Sequence, residues 1–335
     1  MNVTFLVGNG FDLQNGLKTT FKDFFETVTK NNDDETENII YREFNESFRS
    51  DPYTHWRDWS DFEKKLGALT EIITDKDSAD TFMNDLDNLR DDFIDYMQDQ
   101  EDKFEMKEKT SETIMIETFS KFHLNLKDIE REEIIKMLKK TSNHRTVNII
   151  NFNYTNTLTK ITESVRGKYV AVSPYRYLLR NQIYIHKTLN DGTFLGLDNR
   201  EQINHKFFEE EDINSLIKPE AIDSDGTFDK TNAMNIIDTS HIIYIFGMSL
   251  GDSDKTWWNK IGEWLRTTNN SRLIINTYVG EEIVDIQKHP RRKFKHEKKI
   301  KDEFLNHLNF TDDELGRIRK RIYISVNSKY ILNIN

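Results

Sequence analysis

The 335-residue chain contains no cysteine. That removes disulfides, thiolate nucleophiles and thiolate zinc sites together, and agrees with a reducing compartment. Long apolar runs are missing too: IIYIFGM (242–248) is among the longest and falls far short of the ~20 residues a membrane-spanning helix needs. The opening MNVTFLVGNG has neither a basic n-region nor enough apolar length for a secretory leader. No Pro/Gly-rich linker, low-complexity tract or internal repeat divides the chain. These absences predict a soluble cytoplasmic protein without membrane contact. Positive charge is also in deficit, with 47 Lys and Arg against 58 Asp and Glu, a net charge of -11. This argues against a nucleic-acid-coating protein, whose affinity rests on neutralising phosphates. One tract runs the other way, KHPRRKFKHEKK from Lys288 to Lys299. It reads either as a solvated, mobile connector or as a surface for a polyanion or an acidic partner.

What is present is a globular composition, 36% hydrophobic and 12% aromatic, and length for roughly two domains or one large domain with an insertion. Apolar β-type runs occur at 3–7, 147–151, 169–172, 183–185, 242–246, 273–279 and 322–326. Several are apolar throughout, as buried parallel strands are, and helical segments separate them, so the pattern predicts an α/β fold with a mostly parallel sheet flanked by helices. From 36 to 140 apolar residues instead recur at three- and four-residue spacing, as in FMNDLDNLRDDFIDYM. That predicts a large helical insertion, 36–140, packed on an α/β body of 1–35 and 141–335. Its acidic amphipathic pattern suits assembly or regulation rather than catalysis. Within it, Ser60 and Glu63 of SDFE are spaced as a capping box for a helix carrying Phe62, Leu66 and Leu69.

Four stretches carry candidate chemistry. In FLVGNGFDLQNGL (5–17) a strand passes through Gly8 and Gly10 toward a helix, which suits either a plain turn or backbone N–H groups aimed at a pyrophosphate. In INFNYTNTL (150–158) polar residues cluster where a strand ends, the edge at which open α/β sheets bind ligands; Thr155 alternatively caps the next helix. In QIYIHK (182–187) His186 follows a short strand and would share that edge with Asn153 if the strands are parallel. In IFGMSLGDSD (245–254) a buried strand gives way to a polar turn in which Ser253 suits an N-cap, and Gly247, Ser249 and the two acids suit a nucleotide ribose.

In this order the four stretches resemble the AbiH family of phage abortive-infection proteins, with LVGNGFDLQNGLKTTFKDF, INFNYTNTL, YIHK and IFGMSLGDSD carrying the resemblance. They are also distantly similar to the nucleotide-binding elements of sirtuin-like proteins. The resemblance implies a Rossmann-like, sirtuin-like body that binds NAD as substrate without a metal, and a phage-defence role with a phage-derived trigger and a homo-oligomer. It implies Asn153 and His186 as catalytic, and Gly8, Asn9, Gly10, Phe11, Asp12, Tyr154, Thr155, Gly247, Ser249, Asp252 and Asp254 as nucleotide-binding. Lys187 departs from the glycine that follows the sirtuin histidine, Lys22 stands after Phe21 where a sirtuin has Arg, and the missing cysteines exclude a cysteine-ligated sirtuin zinc module, which argues against protein deacylation. The leading expectation is NAD hydrolysis. The alternatives are a nucleotide sensor without chemistry, which Lys187 favours, and a nucleic-acid-directed effector using the basic tract.

Overall fold

The computed structural model describes residues 1–31, 38–50, 59–106, 109–140, 143–189, 194–224, 226–280 and 288–335. Seven strands form one sheet: β1 (Asn2–Val7), β2 (His144–Asn151), β3 (Tyr169–Val172), β4 (Tyr175–Tyr184), β5 (Ile242–Phe246), β6 (Arg272–Thr277) and β7 (Ile322–Val326). Their order is β3-β4-β2-β1-β5-β6-β7. Only β3 is antiparallel, folding back on β4. Numbered in chain order, the six parallel strands read 3-2-1-4-5-6, with the order reversing between β1 and β5. That is a topological switch point, and open α/β sheets take their ligands at the carboxyl edge near such a point.

The apolar runs become strands because both sheet faces are covered. Phe5 on one face packs edge-on and tilted against Phe122, Phe119 and Tyr244, under helices Ser111–Lys121 and Asp128–Lys139. Leu6, Ile243 and Ile245 on the other meet Trp258, Trp264 and Ile237 from helices Lys255–Thr267 and Asp229–Thr239. The expected insertion contributes helices joined by turns, and no strand, among its described residues, and it divides in two. Its last two helices cover the sheet, whereas helices Ile39–Ser50, Trp59–Leu69 and Lys76–Asp102 join Phe21–Asn31 in a separate aromatic cluster with Leu195, Leu197 and Leu216.

Three local expectations change. The run 183–185 starts in the last two residues of a ten-residue strand, β4, and passes one residue beyond it; the strand's mixed first half, YRYLL, pairs with His144–Val147. The helix containing Glu63 is Trp59–Leu69, but Glu63 is 3% exposed and turns inward; the Ser60 side chain lies outside the described residues. The basic tract is a helix, Pro290–Asn306, from its third residue onward. Among the described residues no helix is long and apolar enough to cross a membrane.

Candidate functional site

The loops leaving β1 and β5 touch through their glycines. Gly8 N–H donates to the Phe246 carbonyl at 2.9 Å and Gly10 N–H to the Gly247 carbonyl at 2.8 Å. Both donors expected to face a pyrophosphate are therefore spent joining the loops. Gly247 has φ +68°, and a Cβ on Gly10 would lie 2.5 Å from the Gly247 Cα, so backbone meets backbone with no space between. Gly10→Ala is accordingly expected to destabilise the fold by about 1–3 kcal/mol through forced separation of the loops, measured by urea unfolding. Retained stability would show that the loops do not depend on this contact.

Behind the glycine loop the polar side chains brace one another. The Asn9 amide donates to the Thr19 carbonyl at 2.8 Å and accepts from the Thr19 hydroxyl at 2.5 Å. The Asp12 carboxylate, 1% exposed, accepts from Thr155 at 2.7 Å and Thr157 at 2.6 Å; burial pushes its pKa up to about 6 against these two hydrogen bonds. Thr155 is thus not a helix cap: Asn156 precedes helix Thr157–Thr162, and the Thr155 hydroxyl ties β2's end to the first loop. Ser253 is not the cap of Lys255–Thr267 either, because Asp254 occupies that position without a side-chain capping bond.

Asn153 and His186 do share the sheet edge, since β2 and β4 are parallel. Asn153 is 3% exposed, and neither its Oδ1 nor its Nδ2 has a hydrogen-bond partner. A buried amide left wholly unpaired calls for an explanation, because each unmade bond costs about 1–3 kcal/mol. His186 is held on both sides. Its Nδ1 lies 3.1 Å from the Phe152 carbonyl, which only accepts, so Nδ1 carries the proton and Nε2 the lone pair. Its ring stacks on Tyr154 at 5.5 Å and meets Phe152 edge-on. Burial, aided by the Lys218 ammonium, holds its pKa well below the ordinary imidazole value. The ring is uncharged at neutral pH.

A buried charge cluster faces His186 Nε2. Asp254 Oδ1 is 3.7 Å from that nitrogen and 4.0 Å from Lys218 Nζ, with no hydrogen bond of its own. Lys218 donates to Glu63 Oε1 at 2.8 Å, both side chains about 5% exposed or less. Burial pushes Glu63 up to about 7, with Lys218 pulling the other way. For Lys218, burial opposes the charge but Glu63 and Asp254 outweigh it, so the ammonium stays above its ordinary range. Burial also raises Asp254.

These groups line one cavity of about 1510 Å³ that runs from Trp59, Glu63 and Met97 across the β1 and β5 loops to Asn276, Asn327 and Ser328 beyond β6 and β7. Of the expected residues, Asn153, His186, Tyr154, Gly8, Gly10, Gly247, Ser249 and Asp254 line it, as do Asn9, Asp12 and Thr155 with their polar atoms already bonded inside the protein. Two do not. Phe11 is fully buried in the apolar core under the sheet, and Asp252 faces outward, pairing with His307 at 3.5 Å and Lys64 at 3.6 Å. Lys187 is not among the lining residues; it holds φ +62°, the left-handed conformation in which glycine is unstrained. The departure at Lys187 is thus a strained backbone and not a crowded site. Lys187→Gly is expected to stabilise the fold by roughly 0.5–1 kcal/mol in equilibrium unfolding; a loss of that size would mean its side-chain contacts outweigh the strain.

A mixed α/β body with a crevice and a buried charge cluster at the carboxyl edge of its sheet is the class these features define. The chain matches the model of the bacteriophage abortive infection family AbiH over residues 4–277 and belongs to that family. Membership connects it with the abortive infection of bacteriophage. A search of curated proteins returns no match to the chain.

Proposed function

We propose that the protein acts in abortive infection by cleaving the bond between nicotinamide and ribose in NAD, on a Rossmann-like, sirtuin-like body. The observation that carries this reading is the Asn153 amide, buried with both polar atoms unpartnered in the wall of the cavity that an uncharged His186 also lines. The strand order 3-2-1-4-5-6 supports it, because doubly wound sheets of that order take dinucleotides at the switch point. So does a cavity larger than the ~300–1,000 Å³ typical of small-molecule pockets.

In the cleavage the C1′–N bond breaks with its electron pair leaving on nicotinamide. Positive charge develops on the ribose, and water adds at C1′ and gives up one proton. NAD and water thus become nicotinamide, ADP-ribose and a proton. Asn153, with an acceptor and a donor, orients the water or a ribose hydroxyl, and His186 Nε2 is the open proton acceptor. Asp254, facing Nε2 at 3.7 Å, stabilises the imidazolium that results. A phage-derived trigger and self-association belong to the same reading, since unrestrained cleavage would deplete the cell.

Mass spectrometry of NAD incubated with purified protein, with and without co-expressed phage components, tests the proposal. Nicotinamide and ADP-ribose formed in equal amounts are expected. NAD bound but left intact by the triggered protein would overturn hydrolysis and make the site a nucleotide sensor.

A further inference from the structure

The basic tract is left without a task by the site. Helix Pro290–Asn306 has Arg291, Arg292 and Lys293 in its first turn and no acidic residue there. Positive side chains thus crowd the helix end that the backbone dipole already makes positive, where carboxylates are favoured. Among the described residues its ion pairs lie further along: Glu297 with Lys127, Asp302 with Arg319, and Lys299 with Glu303 at 4.0 Å. Among the described residues no carboxylate lies within ion-pair reach of Arg291, Lys293, Lys295 or Lys298. Exposed aromatics accompany these charges. Phe294, on the helix itself, is 62% exposed. Tyr278 is 84% exposed on the loop after β6, which the helix holds through the 3.0 Å contact between Thr277 Oγ1 and His296 Nε2.

We propose that helix Pro290–Asn306 and Tyr278 form a docking surface for single-stranded nucleic acid. A phosphate backbone neutralises the crowded helix end, and unpaired bases stack on Phe294 and Tyr278. An acidic peptide would satisfy the charge but leave the aromatic rings bare. In a chain of net charge -11, this local concentration of positive charge is what lets a polyanion approach that face. The same helix turns Ile300 and Glu303 into the cavity wall, and Tyr278 lines the cavity as well. A bound strand therefore lies against the site entrance, which gives the docking surface a direct route to the site. The surface stands independently of the NAD reading.

Fluorescence anisotropy of the full-length protein with labelled oligouridylate and oligothymidylate tests this. Binding is expected that weakens steeply with salt and is weaker for duplex. Changing Arg291, Lys293, Lys295 and Lys298 together to Ser should weaken it at least about tenfold and lower the slope of log K against log salt by up to about 3. Tyr278→Ser with Phe294→Ser should weaken it severalfold at every salt concentration without changing the slope, circular dichroism confirming that both variants fold. Binding of either strand type supports the surface, and the tighter one identifies RNA or DNA as its source. No binding, an unchanged affinity in the quadruple variant, or equal competition by polyglutamate would overturn it.

Discussion

His186→Ala and Asn153→Ala are each expected to lower triggered nicotinamide release by roughly 10²-fold or more, with a much smaller change in NAD affinity. On the proposed mechanism both side chains act on charge and protons that move only as the bond breaks, so their loss should fall on turnover. Neither change should unfold the protein. Removing the Asn153 amide leaves no partner unpaired, because it has none, and His186→Ala forfeits one hydrogen bond to Phe152 along with its ring stacking. The pH profile gives a second check. His186 accepts a proton only while uncharged, and its pKa lies well below the ordinary 6.5, so activity should hold as pH falls through 6.5 and fail only below it. Asp254→Asn removes the carboxylate that stabilises imidazolium and should move that acid limb lower still. Equal NAD consumption by wild type and the double variant would defeat the assignment.

Lys218→Met should destabilise the fold by about 3–5 kcal/mol at pH 8, because it strands Glu63 and Asp254 as buried carboxylates without a counter-charge. The deficit has a direction in pH. Both carboxyls already have folded pKa values above their unfolded ones, Glu63 near 7, and losing Lys218 raises them further. A raised acid favours the folded state at low pH and loses that advantage as pH rises through its folded pKa. The variant should therefore recover as pH falls, beginning above the value of about 7 that Glu63 has with Lys218 in place. Combining it with Glu63→Gln should restore much of the loss at pH 8. Urea unfolding of the wild type and the two variants across pH measures this; a Lys218→Met penalty that is flat with pH would mean the damage is steric.

Lys218 and Glu63 were illegible in the sequence for a physical reason. Charged residues default to the surface, and these two are buried only because they meet across 155 positions, from separate helices. Glu63 carried a misleading local signal, its spacing from Ser60. The strand-end residues were legible because apolar runs and the turns that end them are local, and parallel pairing then aligns their ends: β2 and β4 deliver Asn153 and His186 to one edge. Phe11 and Asp252 sit within readable motifs yet miss the cavity. A motif gives the path of the backbone, whereas the side of the turn a residue faces depends on what packs behind it. The helix at Pro290 was hidden by its own charge pattern, which opposes helix formation at that end.

The central position of β1 has a consequence for synthesis. Its neighbours are β2 and β5, and Val3 is paired with Ile242. At about 5–20 residues per second, a ribosome reaches Ile242 roughly 12–50 s after making Val3. Through that interval the first loop has no Gly247 to close against and the cavity has neither Asp254 nor Lys218 for most of it. A nascent chain thus carries the glycine motif and Asn153 well before the cavity can close. The carboxyl edge of the sheet takes its final shape only once Gly247 and Asp254 have joined it.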